Sequence, residues 1–180
     1  MALRATVYKA DLNIADNDRA YYASHAVTVA RHPSETDERM MVRLLAYALY
    51  ADDTDTLTFT RGLSDADEPD LWRLDLTGAI EQWIETGLPD ERRISKACSR
   101  ANAVIVLAYG RNATLWWQGV GSKVARNPKL RAYLLDVDGT LALAGLAERK
   151  MTLNINIQDD TLWVSSEAGE ASVRVQRLEP

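Results

Sequence analysis

The chain has 180 residues, 47% of them hydrophobic and 26% charged, with a formal net charge of −5. That length supports one domain with a substantial core and is short for two large ones, and the composition excludes wholesale disorder. No run approaches the roughly 20 apolar residues of a membrane helix; Met1-Ala2-Leu3-Arg4-Ala5-Thr6 lacks a secretory apolar stretch, and the lone Cys98 excludes an internal disulfide, so a cytoplasmic protein without membrane contact is expected.

In chain order, residues 4–14 alternate (Ala5, Val7, Lys9, Leu12, Ile14) and predict a strand. Asn17-Asp18 turns, and Tyr21 to Ala30 predicts a second strand with Val27 and Val29 on one face. Ser34 with Asp37 three residues on reads as a capping box, which starts a helix near Glu35. Its apolar positions Met41, Leu44, Leu45, Ala48 and Leu49 carry it to Ala51-Asp52. Leu57 to Thr60 is a short strand, followed by strands Leu71–Leu76 and Ala79–Thr86 joined at Thr77-Gly78. Pro89-Asp90 opens a helix, with Asp90 as N-cap and Ile94, Ala97, Cys98 and Ala101 inward. Ala103 to Tyr109 is a continuous apolar run, as in a strand buried on both faces. A helix over 112–122, a strand Arg131–Leu135 and a short helix around Leu141–Glu148 follow. Thr152–Ile157 and Leu162–Ser165 form a hairpin about Asp159-Asp160, and Ser172–Arg177 is the last strand. The order is α+β.

Charge is distributed unevenly. Asp and Glu crowd the stretch from Asp52 to Glu91, whereas Arg92 to Leu135 contains no acidic residue and nine basic ones. Such an asymmetry suits a protein that holds a metal with one part and contacts phosphates with another, although solvated faces would read the same way. With two histidines and one cysteine, a zinc site of His and Cys is excluded, so any metal is a hard cation held by carboxylates.

The carboxylates that qualify are Asp70, after Pro69, and Glu85, in Trp83-Ile84-Glu85-Thr86-Gly87. On paired strands, residues of one face lie about 5 Å apart, close enough for both to hold one Mg²⁺. A cation so held polarises a phosphodiester and supplies hydroxide for in-line attack. Arg92, Arg93 and Lys96 follow at the next helix. Glu81, four residues before Glu85 on the same strand face, is a rival second acid or a hydrogen-bond partner. Asp70 in a turn and Glu85 in a structural ion pair are the plain alternatives, since a carboxylate among apolar neighbours needs a partner.

This arrangement resembles the PD-(D/E)XK nuclease superfamily, in which a Pro-Asp enters one strand, an acid stands on the next and a lysine follows. The resemblance makes Asp70 and Glu85 the metal-binding acids. Gly87 stands where the lysine belongs, so Lys96 from the following helix is its match, with Arg93 as the other cation. A glutamate on the preceding helix is matched by Glu38 or Glu35. Over nearly the whole chain the sequence is also similar to the YaeQ family, on His32-Pro33-Ser34-Glu35-Thr36 with Glu38-Arg39-Met40, on Trp83-Ile84-Glu85-x-Gly87-x-Pro89-Asp90-Glu91-Arg92-Arg93, and on Met151-Thr152-Leu153 with Ile157-Gln158-Asp159. That resemblance implies a single domain over 1–180: a restriction-endonuclease-like mixed sheet flanked by helices over about 34–135, with added antiparallel strands from 1–30 and 151–177. It implies no substrate.

Asp136-Val137-Asp138-Gly139-Thr140 imitates the first motif of haloacid-dehalogenase-type phosphatases, but too little chain follows for their α/β domain. A turn is the better reading. The expected function is therefore Mg²⁺-dependent cleavage of nucleic acid, with Asp70, Glu85, Glu38 and Lys96 catalytic and Asp70, Glu85 and Glu81 as metal ligands. The alternatives are a non-catalytic nucleic-acid-binding relative, suggested by Gly87, and a protein-interaction module using Trp116 and Trp117.

Overall fold

Period-two alternation of apolar and polar residues organises the molecule, because it gives long strands one face for a core and one for water. A computed structural model describes residues 4–61 and 65–180. The described elements run β1 (Thr6–Asp16), β2 (Tyr21–Arg31), α1 (Asp37–Tyr50), β3 (Leu57–Phe59), β4 (Leu71–Leu74), β5 (Ile80–Thr86), α2 (Glu91–Arg100) and β6 (Ala101–Ala108). They continue with α3 (Ala113–Val124), β7 (Leu130–Leu135), α4 (Val137–Ala144), β8 (Lys150–Gln158), β9 (Thr161–Ser166) and β10 (Gly169–Arg177). The class is mixed α+β. No helix among the described residues is long and apolar enough to cross a membrane.

All ten strands join one sheet in the order β2-β1-β8-β9-β10-β7-β6-β5-β4-β3. The terminal strands are not a separate antiparallel addition: β1 lies parallel to β8, and β10 pairs with β7. The β5-α2-β6 and β6-α3-β7 segments are parallel crossover units, so β5 and β6 are covered on both faces. Ile84, Ile105 and Leu107 pack toward α1, while Trp83, Val104 and Val106 pack toward α2. That is why Ala103 to Tyr109 lacks alternation. The sheet curls around α1. Tyr47 of α1 meets His25 of β2 edge-on at 5.4 Å and stacks on Phe59 of β3 at 5.4 Å, so both end strands touch one side chain. Met40, Met41, Leu44 and Leu45 are fully buried, each contributing about 1.5–3 kcal/mol.

Four local expectations shift. Helix α1 begins at Asp37 rather than near Glu35, because Thr36 is the N-cap and accepts from the Arg39 N–H at 3.1 Å. Ser34 instead pairs its hydroxyl with His32 Nδ1, and Glu35 is drawn into an ion-pair network. In β1 the buried face is Tyr8, Ala10, Leu12 and Ile14, which leaves Val7 exposed. Helix α4 starts four residues early. Asp136 caps it by accepting from Gly139 N at 2.9 Å, and its other oxygen takes Arg174 N at 2.6 Å. The Asp-x-Asp motif is thus a cap and strand tie. The β4–β5 turn tightens as well: Asp75 Oδ1 accepts from Thr77 N and Ala79 N, ending β4 at Leu74.

Candidate functional site

The β4–β5 register places Leu71 opposite Ile84, and Asp70, the residue before β4, donates its N–H to the Ile84 carbonyl at 3.1 Å, one residue from Glu85. Both are buried, Asp70 at 1% exposure and Glu85 at 6%. Burying a carboxylate is costly without compensation, so the partners define the site.

Asp70 lies where β4 begins. Its Oδ2 accepts from Thr86 N at 2.7 Å and Thr86 Oγ1 at 3.0 Å, closing the end of β5. Its Oδ1 accepts from Arg39, which α1 projects from its first turn. Arg39 also reaches Glu35 Oε2 at 2.5 Å, and Glu35 is held from behind by Arg43 at 2.5 and 2.9 Å. Arg43 completes the chain on the Ala30 carbonyl at 2.9 Å. These contacts follow from sequence, since Glu35, Arg39 and Arg43 recur at four-residue spacing near the helix start.

Glu85 takes its cation from α2. The Asp90 cap, accepting from Arg93 N at 2.8 Å, starts α2 so that Arg93 folds back over β5. Arg93 Nε and Nη2 meet Glu85 Oε1 at 2.8 and 2.7 Å, and Trp83 Nε1 donates to the same oxygen at 2.9 Å. Arg93 also holds the carbonyls of Ala66 and Glu68, tying the preceding loop to the site. Glu85 Oε2 accepts no hydrogen bond from the described residues.

The electrostatics link the two acids. Burial raises the Glu85 pKa above its ordinary 4.5, and the Asp70 charge adds to that against Arg93 and Trp83. Burial pulls Arg39 down, but Asp70 and Glu35 outweigh it and raise it. Arg93 is likewise raised, the Glu85 and Asp70 charges overcoming its burial. Tyr109, at the end of β6, is pushed up to about 12 by burial, with Glu38, Asp70 and Glu35 adding against Arg39. Its phenol lies within reach of the charges of Asp70, Arg39 and Glu35.

The other expected residues are placed differently. Lys96 is exposed and pairs with Asp67 at 2.6 Å, away from both buried acids, so Arg93 is the cation at Glu85. Glu81 is exposed and lies four residues along β5 from Glu85, about 13 Å at strand rise. Glu38 is half-buried and makes no hydrogen bond or ion pair among the described residues, and its field reaches Tyr109. Gly87 has a physical reason to fill the lysine position: the chain leaves β5 there at φ +101°, with its N–H on the Leu107 carbonyl at 2.9 Å. A lysine would have to adopt that left-handed backbone. Part of the basic block is engaged structurally: Lys123 pairs with Glu91, and Lys129 donates to the Cys98 and Ala101 carbonyls. Trp116 and Trp117 are half-buried, and their indole N–H groups donate to the Pro89 and Glu179 carbonyls.

Fit to a hard cation is decided by oxygens. Among the described residues no three His, Cys, Asp or Glu side chains gather as a cage, so a Mg²⁺ here would have only Asp70 and Glu85 as protein carboxylates, with water for the rest of its shell. Each carboxylate oxygen offers two lone pairs. Asp70 retains spare capacity on Oδ1, and Glu85 retains all of Oε2. The donor set fits. Arg39 and Arg93 already neutralise the two acids, which lowers the attraction for a dication.

The sequence profile described as YaeQ protein matches residues 1–175. The chain is similar to a protein called uncharacterized protein YaeQ from Salmonella typhi, 50% identical over 97% of this chain and 96% of that protein. The corresponding protein of Escherichia coli is 46% identical, again over 97% and 96%. Among solved structures, the YaeQ protein of Xanthomonas axonopodis pv. citri superposes with a TM-score of 0.93 at 47% identity, covering 97% of this chain and 98% of that one. The YaeQ protein of Pseudomonas syringae gives 0.91 at 38% identity, covering 98% and 97%.

Proposed function

The chain belongs to the YaeQ protein family, and from that premise we propose that it is a Mg²⁺-dependent phosphodiesterase acting on nucleic acid, on a restriction-endonuclease-like core of the PD-(D/E)XK type. The observation that carries this reading is the buried pair Asp70 and Glu85 on adjacent strands, with Glu85 Oε2 left open. The order α1-β3-β4-β5-α2-β6 supports it, because the first acid enters one strand and the second stands on its neighbour.

Asp70 and Glu85 would hold the cation. Bound there, Mg²⁺ supplies polarisation of the phosphodiester and acidification of a water. The chain's own part is to position the substrate. Arg93, half-exposed beside Glu85, keeps one Nη1–H beyond its bonds to Glu85, Ala66 and Glu68, a single charged donor for a phosphate. Thr86 fixes Asp70 in one orientation through two hydrogen bonds, which pre-organises that acid. Tyr109, pushed up to about 12, stays a neutral donor at physiological pH and adds no negative charge against a phosphate.

The test is cleavage of single- and double-stranded DNA and RNA with Mg²⁺ or Mn²⁺. Asp70→Asn and Glu85→Gln should each reduce turnover at least about 100-fold, since several kcal/mol of charge stabilisation are at stake. Chelation should abolish it. One observation favours a second reading, a non-catalytic nucleic-acid-binding module: arginines, not a lysine, neutralise both acids. Salt-dependent binding without turnover would support that reading.

A further inference from the structure

Away from these acids, the outer face of the β2-β1-β8-β9-β10 half of the sheet forms an open groove of about 980 Å³. Its floor is set by register. One row crosses all five strands as Ser24, Asn13, Asn154, Ser165 and Glu170. The adjacent row is Tyr22, Ala15, Asn156, Trp163 and Ser172. The first row is polar. The second carries two exposed aromatic rings, Tyr22 at 62% and Trp163 at 49%.

We infer that this groove binds a neutral oligosaccharide, with Tyr22 and Trp163 as stacking platforms and the asparagines between them as the hydrogen-bonding floor. Tyr22 and Trp163 stand three strand spacings apart, about 14 Å, a span that about three linked hexoses cover. A sugar ring presents a C–H face to an aromatic ring and hydroxyls that both donate and accept. Amide side chains match those hydroxyls, because each also donates and accepts. The floor is pre-ordered and retains free donors. Ser24 Oγ donates to Asn13 Oδ1 at 2.8 Å and Asn13 Nδ2 donates to Asn154 Oδ1 at 3.0 Å, which fixes the Asn154 amide with its Nδ2 outward. Asn156 and the Trp163 indole N–H have no hydrogen-bond partner among the described residues.

Charge selects the ligand class. Glu170 is the single charged residue among those lining the groove, and it is an anion. Single-stranded nucleic acid also stacks on aromatic rings, but such sites track the phosphates with Lys and Arg. None line this groove. A neutral polyol has no such requirement.

The test is a titration of the ¹⁵N-labelled full chain with maltotetraose, cellotetraose and chitotetraose, each against oligothymidylate, followed by NMR. The expected result is saturable shifts of the Asn13, Asn154, Asn156 and Trp163 amides with at least one sugar. Trp163→Ala and Tyr22→Ala should each weaken that binding about tenfold. Both side chains are solvent-facing, and an unchanged unfolding midpoint verifies the fold; Asn156→Asp provides a second, isosteric probe of the floor. Asp70→Asn should bind sugar like the unaltered chain, which separates this site from the proposed active site. Failure of all three sugars to shift these amides would overturn the inference. Sugar binding indifferent to Trp163→Ala and Asn156→Asp would do the same. Shifts with oligothymidylate alone would reassign the groove to nucleic acid, and shifts that track protein concentration alone would reassign it to a second copy of the chain.

Discussion

Glu85 sits where burial and charge oppose each other, and its behaviour with pH exposes which dominates. Burial places its folded pKa above the ordinary 4.5, despite Arg93 and Trp83. Its contribution to stability is therefore fully present below 4.5 and is lost as pH rises through the raised folded value. Urea unfolding of the native chain and Glu85→Gln across this range should show the native chain's relative stability falling from acid toward neutral pH. A pH-independent difference would contradict the assignment. Glu35 is the opposite case, a buried acid between two arginines. Glu35→Ala leaves Arg43 as an unpaired buried cation and should cost about 3–5 kcal/mol by chemical denaturation. For the cation at Glu85, Arg93→Ala should lower cleavage while Lys96→Ala leaves it unchanged, because Lys96 reaches only Asp67 at the surface. The sequence names Asp70 and Glu85 through their Pro-Asp and strand contexts. It cannot show that Gly87 occupies a left-handed turn, nor that Arg39 reaches across 31 positions to Asp70, because both depend on how β4, β5 and α1 close on one another.

Among elements, strand and helix existence follows from periodicity, while their ends follow from competition between caps. Ser34 and Thr36 both offer a hydroxyl before α1, and only the folded context decides between them: Ser34 is taken by His32, leaving Thr36 to cap. Thr36→Ala should therefore destabilise the protein by about 1 kcal/mol, whereas Ser34→Ala should cost markedly less. Equal losses in thermal or urea unfolding would contradict this assignment. Helix α4 makes the same point. Asp136-Val137-Asp138 looks like chemistry in one dimension, and in three Asp136 joins α4 to β10 through Gly139 N and Arg174 N. The Asp90 cap is legible from the start because Pro89-Asp90-Glu91 has one reading, and it fixes the angle at which Arg93 meets Glu85.

At the scale of the whole molecule, α+β organisation is evident from the order of patterns, but the single curled sheet is not. Alternation predicts each strand without naming its partner, so the parallel β1–β8 pairing and the β10–β7 junction are properties of the closed structure. That junction makes the terminal strands part of the same sheet that carries Asp70 and Glu85. Continuity of this kind gives the two acids a rigid support, which positioned carboxylates need. The most direct test of the central claim is Mg²⁺-dependent hydrolysis of nucleic acid by the purified chain beside Asp70→Asn and Glu85→Gln. Turnover by the native chain should be abolished by chelation and fall at least about 100-fold in each variant. Cleavage retained by both variants, or no cleavage of any nucleic acid with Mg²⁺ or Mn²⁺, would contradict it.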